Sequence, residues 1–399
     1  MTRSEFLPFY APDIGEEEIR EVAAALRSGW LTTGPRVQQF EEEFAAAVGA
    51  PAAAAVNSGT AALHVSLATL GIGPGDAVVT TPMTFASSIH VIEQVGARPV
   101  FADVEPDTLN IDPDGVRRAI KEAEADEAWP VRAILPVHLH GHPCDMDAVA
   151  QVAADHGLAV VQDAAHALGS FWRGQSVGGP MAGLPPGSLT CFSFYATKNV
   201  TTGEGGMLTG DPALVDEART WILHGMSRDA WRRYASDGSW HYDVVHAGFK
   251  YNMTDPAAAL GLVQLRRLPE FQARRHEIVR RYEDAFGALP EIEMPRVHPN
   301  AEHAWHLYVI RLHLDRIRID RDRFIEELRR RNIGTSVHFI PIHLYSYYRD
   351  RYGFQPQDFP VAYAEYLRMV SLPLYPRMGD RDVDDVIEAV AGIVAEHRR

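Results

Sequence analysis

The sequence predicts an α/β fold: a large domain on a mostly parallel sheet covered by helices, followed by a smaller C-terminal α+β domain. Three observations predict it. Short apolar runs such as AAAAV (52–56), AVVTT (77–81) and LAVVQDA (158–164) alternate with stretches of helical periodicity. These runs are apolar almost throughout, as strands covered on both faces must be. Near Leu268 the alternation gives way to a charged helical stretch and a shorter mixed set of elements.

The elements follow in order. EEEIREVAAALRSG (16–29) spaces its apolar residues for a helix and ends on glycine, a natural stop, and VQQFEEEFAAAVG (37–49) repeats the pattern. AAAAV is a short buried strand. TAALHVSLATLG (60–71) is a helix with Leu63, Leu67 and Leu70 on one side and Gly71 closing it. AVVTT is a strand and FASSIHVIEQVG (85–96) a helix. RPVFADV (98–104), VRAILPVHL (131–139), LAVVQDA, SLTCFSF (188–194) and GGMLTG (205–210) read as strands. A charged helix, PEFQARRHEIVRRYEDAF (269–286), opens the second part. WHLYVIRL (305–312) reads as a strand, RDRFIEELRRRN (321–332) as a helix, and DVDDVIEAVAGIVAEHRR (382–399) as a closing amphipathic helix. The division is placed at 1–268 and 269–399.

Composition narrows the function. With 399 residues the chain can bury a large core, and 46% hydrophobic with 23% charged residues is ordinary for a globular protein. A net charge of −15 argues against binding to nucleic acid, whose phosphates need a basic face. AAAVGAPAAAAV (45–56) is too short and too broken to span a bilayer. MTRSEFLPFYAPDIG has no apolar core of a leader and predicts a cytoplasmic protein. Cys144 and Cys191 stand far apart, which gives no disulfide framework.

Open parallel sheets bind ligands at the carboxyl ends of their strands, so the strand ends carry the argument. AAAAV runs into Asn57-Ser58-Gly59-Thr60 at a helix start, where free backbone N–H groups can hold an anion. A plain N-cap is the competing reading. Asp163 follows a buried strand, and a carboxylate there needs a cationic partner, such as a protonated pyridine nitrogen, an arginine or a metal. His166 lies three residues on. Lys198 sits in SFYATKNVTTGEGG (193–206), between an aromatic strand and a glycine-rich turn. Partial desolvation there makes its amine nucleophilic toward an aldehyde, and the glycines let a flat ligand approach. Phe85 in PMTFASS could stack on such a ligand. A phosphate cradle, a pyridinium acceptor and a lysine are the three requirements of pyridoxal phosphate. Against it stands a cluster of metal-ligand types, His138, His140, His142 and Cys144. Gly141 and Pro143 break the strand that would align them, so the stretch reads instead as a turn before a helix, and no metal is predicted. The tyrosines of HLYSYYRDRYGF (343–354) suit either an aromatic wall or core packing.

Taken in order, GWLTTGPRVQQFEEEFAAAVG, NSGTAALH, PMTFASS, FADV, PVHLHGHPCDMD, VVQDAAHALGS, SFYATKNVTTGEGGML, GFKYNMTDPAAALG, VHFIPIHLYSYY and SLPLYPRM resemble one family over essentially the whole chain. It is the DegT/DnrJ/EryC1/StrS type of sugar aminotransferase, pyridoxal-phosphate enzymes of aspartate aminotransferase fold, fold type I. The resemblance implies a seven-stranded-type sheet and a homodimer with active sites shared across the interface. It implies that Lys198 forms the internal aldimine and that Asp163 pairs with the pyridine nitrogen. His166, where many relatives carry Gln, would sit near the ring hydroxyl, and Phe85 would stack on the ring. Gly59, Thr60, Ala61 and Ser193 would hold the phosphate. Asn252 would reach the phosphate of the neighbouring subunit's cofactor; many relatives read GYNYRM where this chain has GFKYNM, which puts Lys250 at the usual position of the Asn. His338 and Tyr345 fall in the segment that lines the sugar-nucleotide side.

The implied activity is ping-pong transfer of an amino group from L-glutamate to a keto sugar of a nucleoside diphosphate, a 4-keto-6-deoxy hexose by the likeness of GFKYNMTD. Dehydratases of the family carry His in place of the lysine, so Lys198 favours transamination. The other readings are transamination of an amino-cyclitol ketone and a non-catalytic regulator that keeps the fold.

Overall fold

The computed structural model describes residues 3–125, 129–227 and 242–399. Two helices, α1 (Glu16–Ser28) and α2 (Pro35–Val48), lead into the main sheet. Its first part runs β1 (Ala52–Val56), α3 (Gly59–Thr69), β2 (Ala77–Thr80), α4 (Ser87–Gln94), β3 (Arg98–Phe101), α5 (Pro113–Ala125), β4 (Val131–Ile134), α6 (Met146–His156) and β5 (Ala159–Asp163). Two short strands, β6 (Phe171–Trp172) and β7 (Gln175–Ser176), precede β8 (Leu189–Ser193), β9 (Gly206–Gly210) and α7 (Pro212–Ile222). A 32-residue helix, α8 (Asp255–Phe286), follows. The remainder comprises β10 (Ile292–Glu293), β11 (Ala301–Glu302), β12 (Tyr308–Leu312), α9 (Arg321–Arg330), α10 (Ser346–Tyr352), α11 (Pro360–Tyr366), β13 (Met369–Leu372) and α12 (Asp380–His397).

The seven-stranded sheet has the order β1-β9-β8-β5-β4-β2-β3. β9 runs antiparallel to both neighbours, and the other pairs are parallel. Alternate residues serve opposite faces, as strand pleating requires. Val79, Val160 and Met207 join one buried cluster with Phe40 and Phe44 of α2, while Val78, Val161 and Leu208 join another with Leu63 and Leu67 of α3. The parallel arrangement brings the carboxyl ends of β1, β2, β4, β5 and β8 to one edge, and the stretches carrying Gly59-Thr60, Phe85, Asp163 and Lys198 hang from that edge.

A separate core surrounds the antiparallel sheet β10-β12-β13 and includes Tyr282, Tyr308, Leu328, Val370 and Ile393, with Leu7 from the N-terminal segment. The expected division after Leu268 falls inside α8, which starts at Asp255 and carries Pro269 within it. Ala258 and Leu262 of α8 pack in the first core, and Ile278, Val279 and Phe286 in the second. A proline donates no N–H to a helix, so the sequence reads Pro269 as a first turn; packing on both flanks overrides it. Asp255 is fully buried because its carboxylate accepts the N–H groups of Arg36 (3.2 Å) and Val37 (3.1 Å) at the start of α2. Among the described residues, no helix is long and apolar enough to cross a membrane.

Candidate active site

A cavity of about 560 Å³ opens at the carboxyl edge of the sheet. Its floor comes from the strand ends and its outer wall from the C-terminal part, through Ser336, His338 and Phe339 and through Leu372 and Leu374 of the second core.

One side is the start of α3. Ser58, in extended backbone, caps the helix by accepting the Ala61 N–H (3.0 Å). The Ala61 amide is therefore spent, and Ala61 does not line the cavity; Ser58, Gly59, Thr60 and Ser193 do. Glycine at 59 and 206 is dictated by contact. A Cβ on Gly59 would stand 2.7 Å from that of Ser193, and one on Gly206 would stand 2.5 Å from the Ser58 carbonyl oxygen. The helix start is thus pressed onto the ends of β8 and β9, with unspent amides and a positive dipole end toward the cavity. Gly59→Ala should weaken uptake of a phosphate-bearing ligand by about tenfold or more, since the crowding must be relieved by moving this helix start. Titrating cofactor-free protein with pyridoxal phosphate measures it.

Asp163 ends β5 and is buried. Its Oδ2 accepts from Ser88 Oγ (2.7 Å) and its Oδ1 from the Ala165 N–H (3.1 Å). Burial pushes its pKa above the usual carboxylate value, against these hydrogen bonds and the charge of Lys198. Among the described residues no cationic side chain pairs with it, although it faces the cavity. Lys198 lies in the turn after β8. Burial brings its amine down to about 8, with Asp163 opposing the shift. Its carbonyl accepts from Tyr10 OH (3.3 Å).

His166 lines the cavity, and its Nδ1 accepts the backbone N–H of His140 (3.2 Å). The ring proton therefore sits on Nε2. Burial, then the charge of Lys198, holds its pKa well below the usual histidine value. Phe85 precedes α4 at the mouth, 61% exposed, its ring 5.9 Å from Phe339. His338 is in the wall, with Nδ1 2.8 Å from Ser371 Oγ, and burial beside His140 and Lys198 pushes it down to about 3.

Two expected residues stand outside the cavity. Asn252 pairs with Thr33 Oγ1 (2.8 Å) and accepts from Lys250 Nζ (2.5 Å), so these two candidates share one spot at the end of β1. Tyr345 is 40% exposed on the approach to α10 and does not line the cavity. Of its neighbours, Tyr348 is core, while Tyr347 and Tyr352 donate to Glu93 (2.7 and 2.6 Å).

The histidine run forms a buried turn before α6. His138 is held between Gln162 Oε1 (3.0 Å) and the Cys144 N–H (3.0 Å), and His140 Nε2 donates to the His338 carbonyl (2.8 Å). His142 Nε2 accepts the His298 N–H (2.9 Å), and Cys144 Sγ donates to the Val137 carbonyl (3.2 Å). Ser88, Tyr10, Asn199 and His306 were not singled out from the sequence. Ser88, within PMTFASS, and Asn199, beside Lys198 in SFYATKNVTTGEGG, lie in stretches that carried a signal; Tyr10 and His306 do not.

The residues fit pyridoxal phosphate. A buried carboxylate with no paired cation among the described residues, a lysine whose amine burial brings down to about 8, and a helix start that tolerates no side chain at Gly59 converge on one cavity, and these match the three chemical ends of that group. The comparisons agree. Residues 12–391 match the model of the DegT/DnrJ/EryC1/StrS aminotransferase family. The chain is 52% identical over 394 residues to the spore coat polysaccharide biosynthesis protein SpsC of Bacillus subtilis, covering 98% of each. It is 36% identical to the putative sugar aminotransferase Spr1654 of Streptococcus pneumoniae, solved in a PMP-form with a TM-score of 0.89, covering 98% of this chain and 99% of that one. The PLP-form of the same protein aligns with a TM-score of 0.87 over 98% of this chain and 99% of that one. The fold, the cavity and these likenesses have one explanation: the chain belongs to the DegT/DnrJ/EryC1/StrS family of pyridoxal-phosphate-dependent aminotransferases.

Proposed function

We propose that the protein moves an amino group from L-glutamate to the keto carbon of a nucleoside-diphosphate sugar, at C4 of a 4-keto-6-deoxy hexose. The observation that carries the reading is the single cavity that holds both Lys198 and Asp163 and has a wall from each core. One site must then serve both substrates in turn, which gives ping-pong kinetics. The name of the Bacillus relative, which places that protein in polysaccharide biosynthesis, supports a carbohydrate acceptor.

Pyridoxal phosphate, when bound, supplies an electron sink and a carrier for the amino group. Lys198 Nζ takes the proton from the amine-bearing carbon of the donor and delivers one to the acceptor carbon in the reverse half. Asp163 holds a positive charge on the ring nitrogen, and His166 Nε2–H donates to the ring hydroxyl. The free amides of Gly59 and Thr60, with Ser193, hold the phosphate, and Phe85 covers the ring. Asn252 and Lys250, turned away from this cavity, serve the phosphate of a second copy in a homodimer. His338 faces the acceptor.

A panel of keto sugar nucleotides incubated with glutamate, with the new amine located by NMR, tests the substrate. Amination at C4 is expected; amination at C3, or of no nucleotide sugar, refutes this assignment. A second result follows from the lysine. Only the neutral amine captures an aldehyde, so the rate at which cofactor-free protein takes up pyridoxal phosphate should rise with pH and level off above about 8. A midpoint near 10.5, the ordinary lysine value, would contradict the burial of this amine.

A further inference from the structure

His306 lies in the cavity wall with its ring centroid 4.4 Å from that of His166. Its Nδ1 is 3.2 Å from Asn199 Oδ1. The amide of Asn199 has no freedom to turn over. Its Nδ2 donates to the carbonyls of Ala304 (3.0 Å) and Leu168 (3.4 Å), and a flipped amide would set oxygen against both. Oδ1 therefore faces His306, the His306 proton sits on Nδ1, and Nε2 is left as a lone pair. No described residue bonds to that nitrogen, which is open to the cavity. His166 carries the opposite tautomer, so the wall presents one acceptor-only and one donor-only imidazole.

Asn199 is also the residue next to Lys198. The clamp that sets His306 thus fixes the peptide that carries the lysine, while Tyr10 holds the Lys198 carbonyl.

We propose that His306 is a positioning residue for Lys198: its Nε2 accepts an N–H of the lysine amine and so turns the amine lone pair toward the substrate carbon, and Asn199 keeps His306 in the tautomer that can do this. A neutral amine offers two N–H groups and one lone pair. An acceptor-only neighbour takes an N–H and leaves the pair free. The other tautomer would donate to the pair and occupy the electrons that the proton transfer needs. No covalent bond changes at His306, and the proton from carbon is carried by Lys198 alone. The charged and titratable groups facing His306 are His166, Lys198, Arg275, His338 and His140. With burial as the largest cause, they hold its pKa well below the usual value, so it stays neutral and the tautomer decides. The inference rests on the reading of Lys198 as proton carrier.

His306→Phe, which fills the site without an acceptor, and His306→Gln, whose Oε1 reaches as far as Nε2, are compared with wild type. Both should take up pyridoxal phosphate to the same extent as wild type. In the glutamate half-reaction His306→Phe should lose about 10- to 100-fold in kcat, as expected when a proton-transfer group is misaimed. KM should stay within about twofold, and His306→Gln should return to within about fivefold of wild type. In cofactor-free wild type the imidazole nitrogen NMR shifts of His306 should place its proton on Nδ1 and leave Nε2 unprotonated, and Asn199→Leu should lose that preference. That readout is independent of which substrates the enzyme uses, so it separates this inference from the proposed function. A wild-type kcat in His306→Phe, or a wild-type His306 whose proton sits on Nε2, overturns the proposal. If His306→Phe does not fold, His306→Gln and Asn199→Leu decide. Support is a near-wild-type Gln variant beside a Leu variant that binds cofactor but turns over slowly; a Gln variant as slow as Asn199→Leu overturns it.

Discussion

Lys198→Ala should hold the cofactor and fail to turn over, with kcat down by about 10³-fold or more, at the upper end of what a positioned acid–base group contributes. The separation of binding from turnover follows from the layout. The start of α3 and the carboxylate of Asp163 belong to other strand ends, and neither hydrogen-bonds to the lysine amine. What disappears is the amine, which burial keeps near neutrality at about 8 and which no other described residue of the cavity can replace. The neighbouring histidines are held well below their usual basicity and make poor proton carriers. Spectra of the variant with pyridoxal phosphate, beside single-turnover measurements with glutamate, give the answer. Wild-type transamination by Lys198→Ala would falsify the role given to this residue.

Asp163→Asn should keep the fold and the cofactor but lower kcat by about 10²- to 10³-fold, the range found when a preorganised electrostatic partner is removed. The substitution preserves volume. Asn Oδ1 can still accept the Ala165 N–H, and its Nδ2 can donate to Ser88 Oγ, whose own proton can turn to Thr84 Oγ1, 2.8 Å away. Only the negative charge is lost, and with it the hold on a protonated ring nitrogen. The cofactor-free protein should show the reverse in stability. Burial raises the folded-state pKa of Asp163 above its ordinary 3.8, so the folded state binds the proton more tightly than the unfolded state does. The wild type is then at a growing disadvantage to Asp163→Asn as pH climbs through about 4 and upward. Melting temperatures of both cofactor-free proteins across that range test the sign. A wild type that gains on the variant as pH rises would mean that the carboxylate already has a cation.

The strands of the main sheet were legible because they are short, mostly apolar runs set between stretches of helical periodicity. The same regularity puts Lys198, Asp163 and Gly59-Thr60 at or just past strand ends. What escaped the sequence depends on distant chain segments. Tyr10 reaches Lys198 across 188 positions, and His306 meets Asn199 across 107. No periodicity or motif announces such pairs. The resemblance put Ala61 in the cradle with Gly59 and Thr60, and in the structure its amide is taken by the Ser58 side chain. Tyr345 drew notice through its aromatic neighbours, whose hydroxyls instead anchor a helix to Glu93.

The long helix from Asp255 to Phe286 bears on how relatives can be recombined. A chimera that exchanged the C-terminal portion to import a new acceptor preference would inherit Ser336, His338 and Phe339 as a set. Joining the parents at 268/269 would cut through a rod whose two ends are seated in different cores. A junction in the loop just beyond Phe286, where Gly287 ends the rod, leaves it whole and spares both of its seats.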